Sequence, residues 1–458
     1  MSLRVSGTVA TIDNQSIRMT TEKQHEPLDS SAYGTSDRWF ILGFLTLNYA
    51  VLVLQRNCIW FVLRPLKAEL VLNDEQVGYL QTAFLVAYSL SQFFVGYLSD
   101  RFERRHVLMG SLGVSLLVLA GMGLVENFLG LMVMRAVLGV AQAASVPAIA
   151  SVLADVFTPK TRSTAVAIWL CSYSVAMYFA GAAGGKMADI ASVTIPLGAG
   201  SLSVSGWRFA MFVFALIGVG WIVVMALFFR EPQRAERQEG VGLGSGGGSF
   251  WQTIRSTFTV KSYLMIGFMF IVCCIINNIR ELWLPQFVGD VFEMNNEEAG
   301  KFSTFSMMLS MIVGNLVGGI WADWWATKFR SGRLWVQGIA FLVWIPSLLV
   351  IGFTNNQSVM IVGMMGFGFS FSVYSVNLWT TTFDVIDPAA RATAIGLLNL
   401  VAVSAAFASP VVGKGLEYDW FDIREVFISL SFFSLLAFLA IVITVVFFLK
   451  RDYRGPLQ

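Results

Sequence analysis

A chain of 458 residues that is 56% hydrophobic and only 13% charged departs from a soluble norm of about 25% charged and 45–50% apolar, so it belongs in a bilayer. Its net charge of +2 is too near zero for a nucleic-acid binder, which would mass Lys and Arg in one patch. Two His, and four Cys (Cys58, Cys171, Cys273, Cys274) buried in apolar stretches without a pairing pattern, exclude a His-based metal site and a disulfide framework, and no cofactor is expected.

The first 37 residues are polar, lack an apolar core bounded by a cleavage site, and read as a cytosolic tail. Twelve windows then approach the ~20 apolar residues that a span requires. They lie at roughly 39–63, 77–99, 107–125, 128–154, 163–185, 207–229, 260–289, 299–322, 334–353, 357–383, 392–413 and 425–449. Between the sixth and seventh sits "REPQRAERQEGVGLGSGGGSFWQTIRS", a flexible Gly/Ser-rich tether over 231–258. The fold class expected is an all-α membrane protein with twelve transmembrane helices in two six-helix halves, 38–230 and 259–450, and a short cytosolic tail at 451–458. Lys and Arg fall mostly in the loops that share a side with both termini, so both termini are expected in the cytoplasm, with the protein in the plasma or inner membrane. The nearest approach to a phosphate loop, "GAAGGKM", lacks the spacing and the hydroxyl residue after Lys186, so no nucleotide is expected.

The halves are copies. "DVFTPKTRSTAVAI" ends the fourth window and "DVIDPAARATAIGL" the tenth, and Asp155, Pro159 and Arg162 pair with Asp384, Pro388 and Arg391 at 384 − 155 = 229. "GYLSDRFERR" ends the second and "GGIWADWWATKFR" the eighth, pairing Gly96 and Asp100 with Gly319 and Asp323 at an offset of 223. Repeats of this kind are related by an axis along the membrane normal.

"GYLSDRFERR" resembles the loop signature of the major facilitator superfamily at Gly96, Asp100, Arg101, Arg104 and Arg105, and departs at Glu103, where the family commonly has glycine. With the twelve windows and the repeat, the resemblance covers residues 38 to 450. It implies a transporter working by alternating access. The arginines also satisfy the positive-inside rule, but Asp100 does not. It is expected to pair with a neighbouring helix and tie the halves on the cytoplasmic side in the outward-open state. Gly96, Asp100, Arg101, Arg104, Arg105, Asp155, Arg162, Asp323, Asp384 and Arg391 form this candidate gating set.

More finely, "LNYAVLVLQRNCIW", "DEQVGYLQTAF" and "MRAVLGVAQAASVPAIASVLADVF" resemble the anion:cation symporter branch, which moves organic anions such as hexuronates, aldonates and sialic acid. The spinster branch, which moves lysolipids and sphingolipids, is nearly as similar. Both imply an Asp-Arg pair in the first span and an Arg with a Glu two turns on in the fourth. Here Arg56 and Arg135 are kept while Gln55 and Gln142 replace both carboxylates. An amide has no accessible protonation step, which leaves Glu281 as the coupling candidate, unless it only neutralises Arg280.

Arg56 and Arg280 are related by 280 − 56 = 224, near the repeat offset, so both are expected at a central wet cavity. A guanidinium matches a carboxylate or phosphate bidentately. The structural alternative is that each arginine is held by a local acid or by backbone carbonyls, and Arg135 may equally brace the fourth span. Asn48, Tyr49, Gln81, Tyr88, Tyr173, Tyr178, Asn277, Asn278, Tyr374 and Asn377 fill out the candidate substrate site with Gln55 and Gln142. The leading expectation is a monomeric uniporter or symporter for a small organic anion, with a small-molecule substrate and the lipid bilayer as its partners. A lysolipid transporter and a transport-dead receptor on the same fold are the alternatives. No nucleophile, base and orienting residue appear together, so no enzyme is expected.

Overall fold

The structure, a computed structural model, describes residues 35–99, 103–157, 159–197, 200–229, 250–387 and 390–454. Twelve spans are laid out in chain order. The first is Thr35–Phe61, followed by a short helix, Leu63–Leu70. The second is Asp74–Ser99, the third Arg104–Met122, and the fourth Phe128–Gln142 continued by Ser145–Val156. The fifth, Pro159–Ala188, leads through a hairpin of Ser192–Leu197 and Gly200–Ser205 into the sixth, Gly206–Phe228. The second half repeats the plan with Lys261–Val291, Asn296–Ala326, Gly332–Phe353 and Gln357–Val385 as spans seven to ten. The eleventh is broken into Arg391–Val401, Val403–Ala406 and Ala408–Glu417, and the twelfth begins as Ile423–Ile443. Eleven of these are long and apolar enough to cross a membrane by length and composition. The second, 26 residues long, completes the set.

Five of the six spans that leave the side opposite the termini, here the far side, start at side-chain caps that satisfy their first N–H groups; the sixth span, at Ser205, does not. Asn73 exchanges bonds with Gln76, Asn127 accepts from Gly130, and Asn356 accepts from Ser358 and Val359. Asn295 with Glu298, and Asp422 with Glu425, form capping boxes. Residues 231–249 of the expected tether lie outside the described residues, but its end is not flexible: Phe250–Thr259 is a helix. "FWQTIRSTFT" has no Gly or Pro and repeats apolar residues at helical spacing, and Ile254 packs against the second-half core.

The far side is where the halves are pinned. Fifth and eighth spans touch backbone to backbone, since a Cβ on Gly300 would fall 2.4 Å from the Gly181 carbonyl oxygen. Arg64 ion-pairs with Asp290 and donates to the carbonyls of Met294 at 3.0 Å and Gln286 at 3.3 Å. Asp189, just past the fifth span, caps the eighth from outside, accepting from the Asn296 N–H at 3.1 Å, the Asn296 side chain at 2.7 Å and the Glu297 N–H at 2.9 Å.

At the termini side the described ion pairs stay within one half. Arg104 meets Asp155 at 2.6 Å; Arg333 holds Asp384 at 2.8 Å and Asp323 at 2.9 Å. Arg105 donates to the Ala226 carbonyl and Arg391 to that of Phe383. Asp323, the repeat partner of Asp100, thus pairs inside its own half. Gly96 falls in the second helix, but Asp100, Arg101 and the side chain of Arg162 lie outside the described residues.

Asp189→Ala should release the far side by about 1 kcal/mol, the cost of a helix cap and roughly a five-fold change in the open-to-closed ratio. Spin labels across the far-side mouth should show the longer-distance population rising accordingly; an unchanged distribution would assign the closure to the glycine contact and the Arg64 bonds.

Candidate functional site

Between the halves lies a cavity of about 280 Å³. The first and second spans contribute Tyr49, Arg56, Asn57, Gln81, Phe84 and Leu85, and the fifth Leu170 and Tyr173. The seventh contributes Asn277, Asn278 and Glu281, the eighth Met311 and Asn315, and the tenth Phe371, Ser372 and Ser375.

Arg56 sits half-buried on the first-half wall, its guanidinium 5.7 Å from the centre of the Phe84 ring and 5.8 Å from that of Tyr88. Among the described residues no carboxylate forms an ion pair with it. The rings offer their negative faces to the cation and lower its cost without neutralising it. Tyr88 stacks on Phe84 and stands behind the wall rather than in it.

Arg135, a candidate substrate residue that the sequence reading weighed equally as a brace, is corrected to the brace. It is fully buried: Nε donates to the Leu80 carbonyl at 3.3 Å, Nη1 to the Arg56 carbonyl at 2.9 Å, and Nη2 to Gln81 Oε1 at 3.2 Å. Trp60 and Phe84 lie 4.8 and 4.7 Å away as ring faces. It braces three spans and touches no part of the cavity. Because Gln81 spends its oxygen on Arg135, its amide NH₂ is what remains for the cavity.

Arg280 is the second correction. It is buried, sits over the Phe367 ring, and donates to Asn277 Oδ1 at 2.8 Å, Glu281 Oε1 at 3.3 Å and Met307 Sδ. The local acid takes it. Glu281 Oε1 also accepts from Asn277 at 3.0 Å and from the Tyr173 hydroxyl of the other half. Pro285 cannot donate to the Glu281 carbonyl, so the seventh span lacks one ordinary helical bond beside this cluster.

Six more expected residues brace helices instead of facing substrate. Asn48 accepts from Trp221 at 3.3 Å, and Gln55 donates to the Phe214 carbonyl at 3.4 Å, both toward the sixth span. Gln142 donates to the Leu52 carbonyl at 3.2 Å and Asn377 to that of Gly318 at 3.0 Å. Tyr374 is buried against Phe341, and Tyr178 packs on Phe305 between the fifth and eighth spans. Asn57, Asn315, Ser372 and Ser375 were missed, though all are polar residues inside apolar windows.

The Major Facilitator Superfamily profile matches residues 45–410. The chain belongs to that superfamily. It is a membrane transporter and not an enzyme. Similar proteins include the hexuronate transporter of Escherichia coli K12, 23% identical over 88% of this chain and 93% of that one. Human spinster homolog 1 is 25% identical over 53% of this chain and 43% of its own length. A bacterial homolog of the lysosomal transporter spinster, solved inward-facing and unoccupied, superposes with a TM-score of 0.77 at 18% identity, covering 93% of this chain and all of that one.

Arg135→Ala in this superfamily member should cost about 3 kcal/mol or more, since three acceptors and two rings lose their cation and a cavity opens. Arg135→Lys should recover little, because a point charge cannot serve three directions. Melting in detergent checks both; a melting temperature near wild type for the alanine variant would remove the brace.

Proposed function

We propose that this transporter moves a small organic anion bearing a carboxylate or phosphate, a sugar acid fitting best, by alternating access, with Arg56 as its anchor. One observation carries the reading: Arg56 is a cation on the cavity wall that forms no ion pair with a described carboxylate. A guanidinium there offers a two-pronged site for an anion, and the Gln81 amide adds donors beside it. Opposite, Glu281, Asn277, Asn278, Asn315, Ser372 and Ser375 suit hydroxyls. Similarity to a hexuronate transporter supports this choice. Similarity to spinster supports a lysolipid substrate less well, since the cavity is only about 280 Å³ and sets amides and hydroxyls among its apolar residues.

In this reading the halves, 38–230 and 259–450, rock as units joined by 231–258, both termini lie in the cytoplasm, and the pinned far side faces out. The protein works as a monomer in a plasma or inner membrane, without nucleotide or nucleic acid. The termini-side aspartates and arginines form the gate of the opposite state.

If Arg56 anchors the anion, Arg56→Lys should fail almost as badly as Arg56→Ala, weakening binding by roughly 10- to 150-fold. Calorimetry on both variants measures this, with unliganded melting as the control. Full affinity in the lysine variant would mean that the site uses charge without geometry. Normal affinity in both, with much lower melting, would make Arg56 a brace.

Neither Gln55 nor Gln142 can titrate, and Glu281, the coupling candidate, is engaged by Arg280. An inward proton gradient should therefore not drive uptake into liposomes above equilibrium. Accumulation that a protonophore collapses would contradict this and assign the proton to Glu281.

A further inference from the structure

The middle of the membrane region holds three guanidiniums, Arg56, Arg135 and Arg280, and among the described residues one carboxylate, Glu281. That carboxylate is taken by Arg280 at 3.3 Å, with Asn277 and Tyr173 on the same oxygen. Arg135 is enclosed by three acceptors and two ring faces and never meets the cavity. Arg56 faces the cavity without an ion pair among the described residues, and with Arg280 it leaves two guanidiniums to one carboxylate. The residue before it, Gln55, and Gln142 in the fourth span are uncharged and turned to backbone carbonyls.

We infer that this transporter is an anion exchanger, in which the carrier changes face only with an anion on Arg56. The inference rests on the anion reading above. Alternating access passes through a state shut to both sides. With one side open, water hydrates the guanidinium; with both shut, an unpaired ion sits in a low dielectric, which is strongly unfavourable. A bound carboxylate cancels that charge. A carrier with an aspartate beside its arginine returns empty as an internal ion pair, but here, among the described residues, one carboxylate serves Arg56 and Arg280 together and one guanidinium stays unpaired. The return step needs another anion.

The test uses purified protein in liposomes with potassium and valinomycin holding the membrane potential at zero. The probe is whichever of galacturonate, gluconate and sulfoacetate raises the melting temperature most. Labelled probe should enter vesicles preloaded with the same anion roughly ten-fold or more faster than vesicles holding galactose in zwitterionic buffer. Equal rates would overturn exchange and leave anion transport standing. No melting shift and no uptake with any of the three would overturn both. Gln81→Glu sets a carboxylate on Arg135 and beside Arg56, and should bring entry into galactose-filled vesicles to within about three-fold of exchange. A folded Gln81→Glu protein that still requires internal anion would count against the inference, and if that variant does not fold, the wild-type rates decide alone.

Discussion

The buried guanidinium of Arg135 is the point on which the first half is organised. A cation with five N–H donors, enclosed by helices, is tolerable only if every direction it presents is met. The Leu80 and Arg56 carbonyls, the Gln81 amide and the Trp60 and Phe84 rings meet it. Each of these constraints also fixes something at the cavity. The Arg56 backbone is held at the height of the wall, the Gln81 amide is turned donor-first, and Phe84 lies under both arginines. The wall of the site is thus rigid because its back is bonded, and a small anion meets donors already in place.

The two halves share a plan but divide the chemistry. Arg56 and Arg280 occupy corresponding positions, yet only Arg280 has an acid beside it in sequence. That single difference turns the second-half arginine inward to Glu281 and Asn277, whereas the first-half arginine stays at the surface of the cavity. In the proposed reading, charge recognition lies on one side and hydroxyl-compatible groups on the other. A pseudo-symmetric scaffold can in this way bind an asymmetric ligand in one orientation.

The twelve spans and the repeat were legible because each has a strong local signal, length of apolar run and fixed offset; the loop charges were legible too, but not the partners they take within each half. The site was only half legible, for a physical reason. In hydrocarbon a polar side chain has two destinations, a wet cavity or a carbonyl of the next helix, and composition does not separate them. Helix phase would have helped. Residues seven apart share a face, so Tyr49 and Arg56 face the cavity together, while Asn48 and Gln55 face the sixth span together. In the tenth span Ser372 and Ser375 share the cavity face, and Tyr374 and Asn377 share the packed one. The arginine that looked symmetric, Arg280, was misplaced because offset alone carries no account of who neutralises whom.

At the cavity wall, among the described residues, one hydrogen bond crosses between the halves: the Tyr173 hydroxyl to Glu281. It links the fifth span to the cluster that also neutralises Arg280. A ligand shifts a two-state carrier only by binding the states unequally, and this bond is where such a difference arises. A substrate hydroxyl that donates to Glu281 competes with Tyr173, and one that accepts from Tyr173 competes with Glu281. In the proposed reading either exchange loosens the tie between the halves at the cavity while the anion holds to Arg56 on the first-half side. The far-side contacts through Arg64, Asp189 and Gly300 then carry the remaining load. On that reading occupancy and opening are coupled through the Tyr173–Glu281 contact that the substrate replaces, and the carrier needs no separate trigger.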